Sequence, residues 1–178
     1  MNNNIDNMVI DIDSWTIEGG YCDIFPIKNN PNLIFKEFYK KYRANIAYNI
    51  QKKLAKFDLA PKIYGKVQQL PFHSSIVKSS TKSRFGYITE KAGQDHLHMP
   101  EKEQLDMIQE LVDDIQTKTK LKFWDCHHWN IGTIIRDKKL KLVCIDTGKE
   151  SFNANVNAWG NTEPGPMCCY CDTYNCQC

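Results

Sequence analysis

Leu121-Lys122-Phe123-Trp124-Asp125-Cys126-His127-His128-Trp129-Asn130 runs into Ile131-Gly132-Thr133-Ile134-Ile135. After Arg136-Asp137-Lys138-Lys139 comes Leu140-Lys141-Leu142-Val143-Cys144-Ile145-Asp146-Thr147-Gly148. The two apolar runs flank a polar turn and predict a β-hairpin. An acid and an amide stand five residues apart in the loop that enters it, and a second acid closes it sixteen residues after Asn130. Asp125 can take or orient the proton of a hydroxyl. Asn130 and Asp146 supply the oxygen ligands that a hard divalent cation prefers. Alone, the Asp125–Asn130 spacing also suits an ordinary capped turn. The helix ahead, the hairpin behind and the closing Asp-Thr-Gly favour a site. Asp146 follows a buried-strand pattern, where a cation would offset the burial of its charge; the plainer alternative is an acid that starts a turn.

Upstream, Met8–Ile17 alternates like a strand, Glu18-Gly19-Gly20 punctuates it, and Tyr21–Ile27 reads as the next strand. Lys28–Asn32 is a turn, and Leu33–Phe38 reads as a third strand, so three antiparallel strands open the chain. Tyr39–Phe57 is expected to be a helix whose apolar stripe is Tyr39, Tyr42, Ile46, Ile50, Leu54 and Phe57. Pro61 ends that segment. Ile63–Val67 and Phe85–Thr89 are two more strands around a Ser/Lys-rich loop at Ser74–Ser83. Gly93–Met99 reads as a linker. Pro100 opens a second amphipathic helix carrying Leu105, Ile108, Leu111, Val112 and Ile115. The expected class is α+β.

Lys36 sits among Ile34, Phe35 and Phe38. It must reach solvent, a carboxylate or a ligand phosphate, while Glu37 faces the other side of the strand. Adjacent His127 and His128 have no further ligands spaced to help them hold one ion. One is expected to orient the Asp125 loop and the other to lie at the surface. Trp129 is expected in the core.

The 178 residues, 42% hydrophobic and 25% charged, suit one core with a small appendage. No apolar run approaches the roughly 20 residues of a membrane span. The start, Met1-Asn2-Asn3-Asn4-Ile5-Asp6, lacks a secretory pattern, so a cytoplasmic protein without membrane partners is expected. Net charge is +2, yet Lys36–Lys66 holds nine Lys or Arg against Glu37 and Asp58, and Glu90–Asp114 holds eight acids against two lysines. Solvated helix faces explain this. The basic helix 39–57 also leaves an anionic partner open, although no interleaved aromatic platform is evident for nucleic acid.

The order of glycine turn, strand lysine, basic helix, acidic helix, D-x-H-x-x-N and D-x-G resembles the eukaryotic-like kinase superfamily, in its atypical and small-molecule branch. Leu59-Ala60-Pro61-Lys62-Ile63-Tyr64-Gly65 also resembles a helix-to-strand junction of that branch. The likeness covers roughly residues 12–150. It implies a kinase-like two-lobed fold: an N-terminal antiparallel sheet plus one helix over 1–92, and a reduced helical C-terminal lobe over 93–152. It also implies ATP as cofactor and a hinge near Thr89–Ala92, with Glu90 and Ala92 beside the nucleotide. By position Lys36 would hold the α/β phosphates, Gly19 and Gly20 would lie over them, Asp125 would be the base, and Asn130 and Asp146 would bind magnesium. The chain departs from the pattern in three places. Gly19-Gly20 falls short of G-x-G-x-x-G. Helix 39–57 has no acid to pair with Lys36. The helices that ordinarily follow the D-x-G segment are absent.

Residues 153–178 form a Cys-rich tail. Cys168, Cys171, Cys176 and Cys178 offer four thiolates for a zinc ion, with Cys169 spare; a reduced, metal-free tail or disulfides are the alternatives. Cys22, Cys126 and Cys144 read as small buried hydrophobes. The functional expectation is transfer of the γ-phosphoryl group of ATP to a hydroxyl of a protein or small molecule. A pseudokinase-like nucleotide-binding scaffold is the alternative, and nucleotidyl transfer a weaker one.

Overall fold

The computed structural model describes residues 8–11, 14, 17–18, 22–70 and 84–152. The protein is α+β and divides into two compact units. One comprises residues up to Tyr48 together with Lys62–Lys91; the other comprises Asn49–Pro61 and the chain from Ala92 onward.

The first unit is a five-stranded antiparallel sheet. Strands β1 (Ile17–Glu18), β2 (Asp23–Ile27), β3 (Asn30–Phe38), β4 (Ile63–Leu70) and β5 (Arg84–Glu90) lie in the order β1-β2-β3-β5-β4. Period-two alternation sorts the side chains. Phe25, Ile27, Leu33, Phe35 and Ile88 build one buried face, while Phe38 and Tyr87 on the other receive Ala44 and Ala47 of helix α1 (Lys41–Ala55). Central β3 has both faces covered, so its last four residues, Phe35 to Phe38, are all buried.

Helix α1 is shorter than the expected 39–57 and buries a different stripe. Tyr39, Tyr42 and Phe57 are exposed, and the fully covered positions are Ala44, Ala47, Gln51 and Leu54. Small alanines let the helix approach the sheet closely, and Gln51 is tolerated inside because its Nε2 donates to the Pro61 carbonyl at 3.0 Å. The chain leaves the helix through Asp58, at φ 55°, with the Leu59 amide returning to the Leu54 carbonyl.

In the second unit, helix α2 (Glu101–Thr119) lays Ile108, Leu111 and Ile115 on a core made with Leu54, Leu59, Phe123, Ile131, Leu142 and Phe152. Leu105, expected in that stripe, is exposed. Strands β6 (Ile131–Arg136) and β7 (Lys139–Cys144) form the expected hairpin. Its two turn residues, Asp137 and Lys138, both have positive φ, 50° and 62°, the geometry whose twist matches paired strands. Helix α3 (Lys149–Phe152) closes the unit. Residues 93–99 are not a linker. Gly93 pairs with Thr133 of β6, and Asp95–His98 forms a helical turn that buries His96 completely. Gly19, Gly20, the Ser74–Ser83 loop and the tail cysteines Cys168, Cys171, Cys176 and Cys178 lie outside the described residues. Among the described residues no helix is long and apolar enough to cross a membrane.

Candidate functional site

Three groups singled out in the sequence come together in the second unit, and local packing explains how. Phe123 stacks on Phe152 with ring centroids 5.1 Å apart, and the Trp124 amide donates to the Ser151 carbonyl at 2.9 Å. These contacts hold the chain as it enters the Asp125 loop. The loop ends in a helical turn at His128–Asn130 that leads straight into buried Ile131. Asn130, itself buried, ties the loop together. Its Nδ2 donates to the Asp125 carbonyl at 3.0 Å and to Asp125 Oδ2 at 2.9 Å. Its backbone carbonyl accepts from the Ile145 amide at 2.9 Å and the Asp146 amide at 3.4 Å. One residue therefore links the first acid by its side chain and the second by its backbone.

Asp146 is held separately. Its Oδ1 accepts from the Gly148 amide and its Oδ2 from Ser151 Oγ, both at 2.9 Å. Gly148 serves here through closeness: a Cβ on it would lie 3.2 Å from Asp146 Oδ1. Both acids are half-buried, so they are neither lost in the core nor free to swing. The Asp146 carboxylate and the Asn130 amide oxygen are ligands of the kind magnesium prefers. Among the described residues no group of three or more His, Cys, Asp or Glu converges to hold a metal ion, so among these residues a cation here would depend on the Asn130 amide.

The two histidines differ. His127 Nε2 lies 3.6 Å from Asp125 Oδ1, beside that carboxylate but beyond hydrogen-bonding distance. His128 is half-buried and packs against Trp129 with centroids 4.7 Å apart. Trp129 itself is 56% exposed and not a core residue. The short turn at 128–130 points buried side chains inward at Asn130 and Ile131, which leaves the indole outside.

Sequence reasoning missed the support beneath this loop. Asp95 Oδ2 accepts from Thr133 Oγ1 at 2.5 Å, and the Asp95 amide donates back to the same hydroxyl at 3.3 Å. That bond, chiefly, holds the Asp95 carboxyl below its ordinary range. His96 is fully buried. Desolvation holds its ring below the usual imidazole range. The His128 backbone, nearby, opposes that shift, although neither ring nitrogen reaches hydrogen-bonding geometry. The helical preference of Asp95–His98 is weak in sequence, so nothing in the residue pattern announced it.

In the first unit Lys36 is only 6% exposed, which removes the solvent-facing reading. It lies on β3 opposite Ile24 and Tyr87, on the face that receives α1. Glu37 is on the opposite face, as its strand position requires, and is also buried. Arg84 pairs with Glu37 and lies 3.7 Å from Asp23 Oδ2, which also accepts from Tyr39 Oη at 3.1 Å. Burial pushes the Glu37 carboxyl up to about 7; Arg84 opposes the shift and Asp23 adds to it. Glu90 ends β5, where its Oε2 accepts from the Lys62 amide at 3.1 Å. Ala92 begins the second unit, with its methyl facing the space beside Gly132.

The sequence matches no protein-family model, and no curated protein is significantly similar to it.

Proposed function

We propose that the chain is a minimal kinase-like phosphotransferase that moves the γ-phosphoryl group of ATP, with magnesium, onto a hydroxyl acceptor. The observation that carries this reading is the double role of Asn130: its side chain grips Asp125 and its backbone accepts from the segment bearing Asp146. An acid positioned for a hydroxyl proton and two oxygen ligands for a cation then belong to one small constellation. Asp125 accepts the acceptor's proton as its oxygen bonds to the γ-phosphorus; the bond from that phosphorus to the β,γ-bridging oxygen breaks, and ADP leaves. His127, 3.6 Å from Asp125 Oδ1, would orient it on closer approach. Asn130 and Asp146 would provide oxygen ligands for magnesium, which would supply charge neutralisation at the phosphates. Lys36, a buried cation on a strand, is the group we assign to the α/β phosphates, with Glu90 and Ala92 beside the nucleotide. The two compact units and the sheet-then-helix order of the chain support the kinase-like, two-lobed interpretation.

A second reading has its own observation. Asp146 already accepts one hydrogen bond on each oxygen, and α1 contains no acid to pair with Lys36. Both features suit a pseudokinase-like protein that binds nucleotide without turning it over. One experiment separates the readings. The protein is incubated with magnesium and ATP labelled at the α or the γ phosphate, beside Asp125→Ala and Asp146→Ala variants. Incorporation of γ label into an acceptor or the protein itself, lost in both variants, is the expected result. Incorporation of α label would replace the kinase reading with nucleotidyl transfer. Tight ATP binding without turnover would replace it with the scaffold.

A further inference from the structure

Helix α1 buries alanines and leaves a face of different chemistry open. Lys41, Tyr42, Asn45, Asn49, Lys52 and Lys53 are all exposed. They recur at the three- and four-residue steps that gather side chains on one side of a helix. No Asp or Glu lies between Phe38 and Phe57. At the start of this face Tyr42 is 53% exposed. Lys40 Nζ and Arg43 Cζ each lie 6.0 Å from the Tyr42 ring centroid, and Arg43 Nε donates to Tyr42 Oη at 3.3 Å. An exposed ring among cations therefore continues into a row of amides and lysines.

We propose that this face of α1 binds single-stranded nucleic acid. A base stacks on an exposed tyrosine whatever its identity, and lysines beside the ring meet the phosphates that follow. Asn45 and Asn49 add donors and acceptors on a helix that carries no carboxylate. A duplex keeps its bases stacked on one another and cannot use the ring. An anionic membrane engages a helix through an apolar face, whereas the apolar residues Ala44, Ala47 and Leu54 are buried. From Lys41 to Lys53 the face runs about 18 Å at the helical rise per residue, room for a few nucleotides. This inference is independent of phosphoryl transfer.

The test uses the full chain and fluorescein-labelled oligo-dT and oligo-rU of about 20 nucleotides, followed by anisotropy at about 0.15 M salt. A duplex of equal length and phosphatidylserine vesicles serve as the other probes. Binding to the single strands is expected, weaker for the duplex. Tighter binding of rU assigns the surface to RNA and of dT to DNA, and either supports the proposal. Lys41→Glu with Lys53→Glu should weaken binding at least tenfold and flatten the salt slope by about 1.4. Tyr42→Ala should weaken it about tenfold, and Tyr42→Phe should not. All these side chains are exposed, and unchanged melting temperatures check that the variants fold; Lys53→Gln, which only removes a charge, gives a second reading. The proposal falls if no single strand binds, if the α1 variants leave affinity unchanged, if Tyr42→Ala has no effect, or if vesicles bind and oligonucleotides do not.

Discussion

Glu37 in the sheet unit and His96 in the other unit are both buried ionisable side chains, and burial drives them in opposite directions. Desolvation raises the Glu37 carboxyl to about 7 in spite of Arg84. The same desolvation keeps the His96 ring below its ordinary range. In each case the neutral form wins, because the charged form is the one that needs water. The consequence for stability has opposite sign. Folded Glu37 holds its proton between the ordinary carboxyl value of 4.5 and about 7, where the unfolded side chain has lost it. The sheet unit therefore loses stability as pH rises through that range. Unfolded His96 takes up a proton below 6.5 that the folded ring resists, so the second unit loses stability as pH falls. Two parts of one chain are expected to prefer opposite ends of the pH scale, which hydrogen exchange, read separately for the two units, would reveal.

The comparison can be broken at its strongest point first. Arg84 is the cation facing Asp23 and Glu37. Arg84→Met would leave two acids buried together and should cost the sheet unit about 3–5 kcal/mol at pH 8. The loss should shrink near pH 5, where Glu37 is protonated. Exchange of the β2, β3 and β5 amides checks this. Glu37→Gln, next in size, should stabilise the same unit by about 2 kcal/mol at pH 8 and flatten its response between pH 4.5 and 7. His96→Leu should remove the acid-side loss of the second unit below pH 6.5 while changing its stability at pH 8 by about 1 kcal/mol or less, as followed by urea unfolding at both pH values. Smallest is Ser151→Ala, which deletes one donor to Asp146 and should cost about 1 kcal/mol, with no change in either pH profile. A pH-independent sheet unit, or a His96→Leu variant that still loses stability in acid, would dissolve the contrast.

Much of this architecture was readable from local pattern. The hairpin at Ile131–Cys144 announced itself through two apolar runs around Arg136-Asp137-Lys138-Lys139, and the opposed faces of Lys36 and Glu37 follow from the period of a strand. The Asp125 loop was legible for a similar reason: its spacing, entry and exit are all local. Helix α1 shows where such reading fails. Tyr39, Tyr42 and Phe57 carry the spacing and bulk of a core stripe, yet Ala44, Ala47, Gln51 and Leu54 occupy the interior. Periodicity locates a helix but does not say which of two competing stripes meets the sheet. Here close approach favours alanine, and Gln51 is paid for by the Pro61 carbonyl. Trp129 lies exposed against its hydrophobicity, which says nothing about where a three-residue turn aims its side chains.

The types of strands β2 to β7 and of helices α1 and α2, the hairpin turn and the presence of two acids and an amide at suggestive intervals were settled by the order of residues, because each depends on neighbours within a few positions. Which stripe of α1 is covered, that Asn130 grips Asp125 and receives the Ile145 and Asp146 amides, that Arg84 joins two strands' acids, and that His96 lies buried under a supposed linker all required the folded chain. Those outcomes depend on contacts between segments far apart in sequence, where packing and desolvation outweigh any local preference.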